Sequence, residues 1–289
     1  MKHAIASISY NRPEMLKLSL EYIAKLHGIE KADRFVFHDG PEPFDFLSEF
    51  NLKEVVTRSV RAGLSKNILL ALKRLFEKDG YDLVTIIEDD FLLSFDFLDF
   101  TLAAHVHKTS FNDAFTISGF SNTKGDFGPE AASWITLTDW YFTGGVTFDR
   151  KDYALIEPHI SDAFFDDRYY YLKTRIRPIV EKGHPKYCAW QFEGGEPRHP
   201  EQAGLINDLR AARGLKQMTP IVSRCQNIGY YGFHQIMKKP DGSDVRDPEN
   251  WKRQAYYNPT WKESHEWDCL SVIDSDQKNF EALRDITPR

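Results

Sequence analysis

Short apolar runs alternate with helix-spaced segments through the first hundred residues. No other feature of the chain limits its architecture as strongly. Ala4–Tyr10 (AIASISY), Arg34–His38 (RFVFH), Glu54–Val60 and Leu83–Ile87 read as strands bounded by turn residues. Met15, Leu18, Leu20, Tyr22 and Ile23 give the segment after the first strand an apolar side. Asn11 is placed to cap that helix, with Pro13 in its first turn and Glu14 three residues on. Ser65–Lys78 is a second helix, with Ile68, Leu69, Leu72, Leu75 and Phe76 at helical spacing. Ser94 is read as the cap of a third, through about Lys108. Strands alternating with helices imply crossover connections, so an open, mixed but mainly parallel α/β sheet flanked by helices is expected.

Ligands in such sheets sit beyond the carboxyl ends of the strands. Asn11-Arg12, Asp39-Gly40, Arg61 and Glu88-Asp89-Asp90 all fall at those ends. The acid triplet is the pointed feature, because it directly follows a strand of hydrophobic β-formers. Acids there can cap a helix or face solvent. A hard divalent cation explains the clustering better, since it takes oxygen ligands and is commonly held by one or two carboxylates plus substrate phosphates. No GxxxxGK[ST] or GxGxxG loop follows the first strand, which disfavours a P-loop NTPase or a nicotinamide enzyme. Neutralising a diphosphate would then fall to the cation and to Arg12 and Arg61.

Composition narrows the class. The 289 residues suit one large domain, or one domain with an extension, and the 42% hydrophobic content suffices for a sizeable core. No apolar run approaches the roughly 18 residues of a membrane span. The opening MKHAIASISYNRPE is not read as a signal peptide. Cys188, Cys225 and Cys269 lie far apart without metal spacing and are expected as reduced thiols in a cytoplasmic protein. A net charge of −6 disfavours broad binding to nucleic acid.

The pattern loosens after Phe111. Trp134–Arg150 reads as strands broken by Gly144-Gly145, either a tight turn or a close backbone approach to a ligand. Asp166–Val180 is expected as a helix, with Asp166 and Asp167 at its start. Pro220–His234 is a strand and loop, and Lys238–Asn250 a hydrophilic loop or linker. All six tryptophans lie at or after Trp134, so the second half is the better candidate for stacking on a ligand.

The order NRPE, HDG, RAGLSKN and IIEDDFLLSFDFLDF resembles the glycosyltransferases of GT-A (Rossmann-like) fold. Within that fold it looks most like the N-acetylglucosaminyltransferase I type and bacterial glycosyltransferase family 2 enzymes. The resemblance covers Ile5–Asp99 well and continues in patches through Phe142–Arg150, Phe164–Tyr169 and Arg224–His234. The resemblance implies a metal-dependent inverting transferase using a nucleotide-sugar donor, UDP-linked, with Mn2+ or Mg2+. It implies that Asp90 binds the metal, with His234 completing the metal site or reaching the diphosphate. Glu88 and Asp89 would face the donor's sugar and ribose, Asp39 its nucleobase, and Asn11, Arg12, Gly40 and Arg61 its pocket. Gly144 and Gly145 would border the donor sugar. Asp166, or failing it Asp167, would be the general base.

On this reading residues 1–237 form the catalytic domain. Its donor-binding half is about 1–110 and its acceptor half about 111–237, with 238–289 an extension that closes as a lid. The acceptor would be a glycan, a lipid-linked sugar or a small molecule. A variant is transfer to a modified DNA base, for which Lys173, Arg175 and Arg177 would supply a basic groove, although the net charge counts against it. Of a different class are a sugar-nucleotide pyrophosphorylase, disfavoured by NRPEM after the first strand, and a catalytically silent nucleotide-sugar-binding domain.

Overall fold

The computed structural model describes residues 1–121 and 133–227, with a short backbone segment at 281–283. Strand β1 (His3–Ser9) leads into helix α1 (Pro13–Ile23), then β2 (Ala32–His38), β3 (Glu54–Val56), α2 (Leu64–Lys73) and β4 (Leu83–Glu88). Further on come β5 (Phe91–Leu93), α3 (Phe97–Lys108), β6 (Ala114–Ser118), β7 (Trp134–Thr138), β8 (Val146–Asp149) and α4 (Arg150–Ile156). A helical stretch follows: α5 (Asp162–Asp166), α6 (Arg168–Tyr171), α7 (Arg177–Gly183), α8 (Pro185–Gln191) and α9 (Gln202–Ala212). The remaining strands are β9 (Lys216–Pro220), β10 (Cys225–Asn227) and β11 (Glu281–Leu283).

Among the described residues the main sheet has the order β11-β7-β9-β6-β8-β4-β1-β2-β3. Pairing is parallel from β4 through β1 and β2 to β3. It is antiparallel at β4–β8, β6–β8 and β7–β9, and parallel again at β6–β9 and β7–β11. This is the mixed, mainly parallel α/β sheet that the alternation implies.

Side-chain alternation assigns the two faces of the parallel half. Ala4, Ala6, Ile8, Phe35, Phe37, Val84 and Ile86 join the core packed by Ile68, Leu69 and Leu72 of α2. Ile5, Val36 and Ile87 point the other way, onto Leu16, Leu20 and Ile23 of α1. Both faces are covered, which is why these strands read as nearly continuous apolar runs. The chain steps outward from β1 to β2 and β3, then returns across the sheet to place β4 on the other side of β1. The switch in strand order therefore falls between β1 and β4, where a crevice opens in sheets of this kind.

Several local expectations are corrected. Asn11 does not cap α1. Pro13 is the first helical residue, so the cap position is Arg12, whose side chain makes no capping bond. Ser94 is not the cap of α3: β5 holds Phe91–Leu93 extended against Cys225–Asn227, and the helix starts only after Asp96. Ser94 Oγ instead donates to Asp96 Oδ1 at 2.6 Å. Strand β3 stops at Val56 rather than Val60. The expected helix 166–180 is broken at Asp167, whose φ/ψ of −145°/89° is not helical, and a wide π turn covers Leu172–Ile176. His234, the loop 238–250, Cys269 and the proposed lid lie outside the described residues apart from β11. Cys188 and Cys225 are free, buried thiols. No helix among the described residues is long and apolar enough to cross a membrane.

Candidate functional site

The carboxyl ends of three strands are tied to one another through the backbone. Asp39 N–H donates to the Ser9 carbonyl at 2.8 Å, and Asp89 N–H donates to the Ile8 carbonyl at 3.0 Å. The end of β1 thus fixes the first residue beyond β2 and the first beyond β4. Asp39, Asp89 and Asp90 are all buried.

The acids are partly compensated from within the chain. Arg12 Nη1 donates to Asp90 Oδ2 at 2.9 Å, and Nη2 pairs with Asp89 Oδ1. Arg12 thus pairs with two of the three acids in this cluster. Burial, with the Asp90 and Asp89 charges added, pushes the Glu88 carboxyl up to about 8, against Arg12 and a hydrogen bond from Thr143. Burial also raises Asp89 to about 6, opposed by Arg12 and by the Tyr10 backbone N–H. Among the described residues, Asp90 Oδ1 is buried without a hydrogen-bond partner.

That orphan oxygen bears on the metal expectation. Among the described residues no group of three His, Cys, Asp or Glu side chains is placed to hold an ion, so a protein-built cage is absent there. A cation held by one or two carboxylates and completed by water and ligand oxygens needs no such cage. Asp90, with its unpartnered oxygen beside Glu88 and Asp89, fits a cation of that kind.

Asp39 is a staple. Its Oδ1 accepts from Ala62 N–H at 2.6 Å and its Oδ2 from Gly63 N–H at 2.7 Å. The loop between β3 and α2 is therefore pinned to the end of β2. Gly63 adopts φ 81° and ψ 156°, a region that residues with a Cβ essentially avoid. Gly40 lies against His38, where a Cβ would come within 2.9 Å of the imidazole Nε2. The Arg61 guanidinium lies 4.2 Å from the Tyr10 ring centroid, linking this loop to the end of β1. Asn11 is exposed beside Arg12.

Gly144 and Gly145 make room for packing. A Cβ on Gly144 would lie 2.7 Å from Phe120 Cβ and 3.0 Å from Cys225 Sγ. Gly145 has φ 56°, and its Cβ would meet Phe97 at 2.9 Å. Gly119 N–H donates to both glycine carbonyls at 3.1 Å. The pair forms a tight turn that delivers Thr143 to Glu88.

Asp166 and Asp167 are both exposed. Asp167 Oδ1 accepts from Tyr170 N–H at 2.9 Å and caps α6. Their neighbours Phe165 and Arg168 line a cavity of about 430 Å³ together with Arg61 and Ser65. Arg168 Nη1 donates to Ser65 Oγ at 3.2 Å, and Ser65 Oγ donates to Gln202 Oε1 at 2.7 Å. The starts of α2, α6 and α9 therefore meet beside the loop that Asp39 holds.

The sequence reading missed the Arg12 pairing, Tyr10, Thr143 and the Ser65 junction. It also missed Arg224, a fully buried guanidinium whose Nε donates to Asp96 Oδ2 at 2.9 Å. Ser65 and Gln202 are 137 positions apart, and Arg224 and Asp96 are 128 apart, so no local spacing signals either pair. Of the basic run proposed for a DNA groove, Lys173 pairs with Glu196, Arg175 is exposed and Arg177 lies over the Phe192 ring. The exposed Trp140 and Trp190 meet edge to face, with ring centroids 5.2 Å apart.

No protein-family model matches the chain, and no curated protein matches it. Among solved structures it is similar to the mannosyltransferase PcManGT from Pyrobaculum calidifontis in complex with GDP-Man and Mn2+. That likeness has 18% identity and a TM-score of 0.38, over 55% of this chain and 46% of that one. It is also similar to TarS 1-349 from S. aureus in complex with UDP-GlcNAc, at 16% identity and a TM-score of 0.40, over 55% of this chain and 47% of that one. The matched region spans about half the length of these structures.

Proposed function

We propose that the chain is a metal-dependent inverting glycosyltransferase of GT-A type that uses a nucleotide-sugar donor, UDP-linked, and an acceptor hydroxyl. The observation that carries the reading is Asp90. Among the described residues its buried Oδ1 has no hydrogen-bond partner, at the strand-order switch, in a cluster of three acids and one guanidinium. Asp90, with Glu88 and Asp89 beside it, would hold a divalent cation, which would supply the positive charge that the cluster lacks. When bound, it offsets the charge that develops on the departing nucleoside diphosphate.

The chain's own residues divide the remaining work. Residues 1–110 hold the donor, with Asp39 and the loop it staples at the nucleobase end and Arg12 and Arg61 near the phosphates. Residues 111–237 hold the acceptor. Asp166 accepts the proton of the acceptor hydroxyl as that oxygen bonds to the anomeric carbon and the sugar–phosphate bond breaks. Asp166 is favoured over Asp167 because the Asp167 side chain is engaged as a helix cap, whereas the Asp166 side chain makes no hydrogen bond among the described residues. His234 and the segment 238–289 are proposed to complete the metal site and to close over the donor.

The Arg12 pairing favours a second reading, a nucleotide-sugar-binding domain without turnover, in which the guanidinium permanently takes the cation's place. Calorimetric titration with UDP, GDP and CDP, in Mn2+ and in EDTA, followed by assay of metal-dependent turnover of the matching nucleotide-sugar, separates the two. Mn2+-linked binding with turnover supports the transferase. Binding that ignores EDTA, without turnover, supports the silent domain.

A further inference from the structure

The 430 Å³ cavity beside α2 carries more positive charge than a donor pocket accounts for. Arg61, Lys66 and Arg168 line it, against one carboxylate, Glu201 at the rim. In a chain of net charge −6 this is a local reversal of sign. Among the described residues neither Lys66 nor Arg168 forms an ion pair. Lys66 lies 4.8 Å over the Phe165 ring, and Arg168 is held by Ser65 Oγ at 3.2 Å. Ser65 is buried and fixed in turn by Gln202, so Arg168 has a set position, and an oriented guanidinium is suited to a phosphoryl group.

The placement of the cavity decides which substrate it serves. The donor's diphosphate is assigned to Asp90, Arg12 and Arg61, which leaves Lys66 and Arg168 of the cavity's cations without a role there. Phe165 and Arg168 line the cavity and flank Asp166 and Asp167 in sequence, so the segment that carries the proposed general base also supplies one of the cavity's cations. The base must face the acceptor. We infer that this cavity is an acceptor subsite and that the acceptor carries a phosphate, held by Lys66 and Arg168 with Arg61 at the side towards the donor. This inference rests on the transferase reading above.

The test is calorimetric titration of the full chain with inorganic phosphate in EDTA, with acetate for comparison. It is then repeated with UDP and Mn2+ at saturation. Millimolar phosphate binding is expected, weakened at least tenfold in Lys66→Ala/Arg168→Ala and unchanged by nucleotide. Lys66→Glu alone, at a partly exposed position, should weaken it comparably and guards against misfolding of the double variant. Phosphate binding that survives both variants overturns the subsite, as does no binding, or acetate binding as tightly. Displacement of phosphate by UDP and Mn2+ overturns the acceptor assignment and returns the cations to the donor. Phosphate is first titrated without nucleotide, so failure of nucleotide binding counts against the transferase reading separately.

Discussion

Arg12 Nη1 sits 2.9 Å from Asp90 Oδ2, while the other oxygen of Asp90 is buried without a hydrogen-bond partner among the described residues. One side of the carboxylate is satisfied by Arg12, and the other is left open by the described residues. The pairing also explains how the triplet is tolerated before any ligand binds, since the guanidinium offsets part of the repulsion.

Arg12→Gln should destabilise the protein by about 1–3 kcal/mol at pH 7.5, the scale of a charge-assisted hydrogen bond lost from a partly buried pair. The deficit should shrink towards pH 5, because Asp89 is held near 6 in the folded chain and protonates there. Urea unfolding at the two pH values checks this; a deficit independent of pH would contradict the coupling.

Glu88→Gln should stabilise the ligand-free protein, more so as pH rises. The folded carboxyl is held near 8, above its ordinary 4.5. Its contribution to stability is therefore fully present below 4.5 and is lost as pH rises through 8. The glutamine removes that loss, with a gain on the order of 4 kcal/mol by pH 8. Thermal melts of both proteins from pH 5 to pH 8 measure it. Parallel curves would show that Glu88 is not held neutral.

Gly63→Ala should cost about 1–3 kcal/mol, because it forces a Cβ into a φ/ψ region that essentially only glycine adopts. It should also weaken nucleotide binding by loosening the loop that Asp39 pins. Gly28, at φ 76° far from the site, is the control: Gly28→Ala should leave nucleotide affinity unchanged.

Asp96→Ala should cost about 3–5 kcal/mol, since it strands the buried Arg224 guanidinium without its carboxylate. Asp96→Leu combined with Arg224→Met should recover most of that loss. Chemical denaturation of both variants decides it, and equal instability in the two would place the cost in packing rather than charge.

The centre of the parallel half was legible because β1 and β4 are buried on both faces and leave nearly continuous apolar runs, as in Leu83–Ile87; the edge strand β3 is at most partly buried, and its end was not legible. The crevice was legible because Asp39 and Glu88-Asp89-Asp90 directly follow such runs. Helix starts were less legible. Asn11 and Ser94 have the chemistry of caps, but Pro13 and the tertiary pairing of Phe91–Leu93 with Cys225–Asn227 decide where the helices begin. Partnerships such as Arg12 with Asp90, or Ser65 with Gln202, are made by the fold across 78 and 137 positions and leave no periodic trace. The break at Asp167 was hidden because aspartate suits both the first turn of one long helix and the cap of a short one.

The role of Asp90 is tested most directly by Mn2+-linked nucleotide binding in Asp90→Ala. UDP should bind the wild-type chain at least tenfold more tightly in Mn2+ than in EDTA. Asp90→Ala, folded by circular dichroism and melting cooperatively, should lose that difference. Equal Mn2+ enhancement in the variant would contradict the account, because the unpartnered oxygen at the end of β4 would then not be what holds the cation.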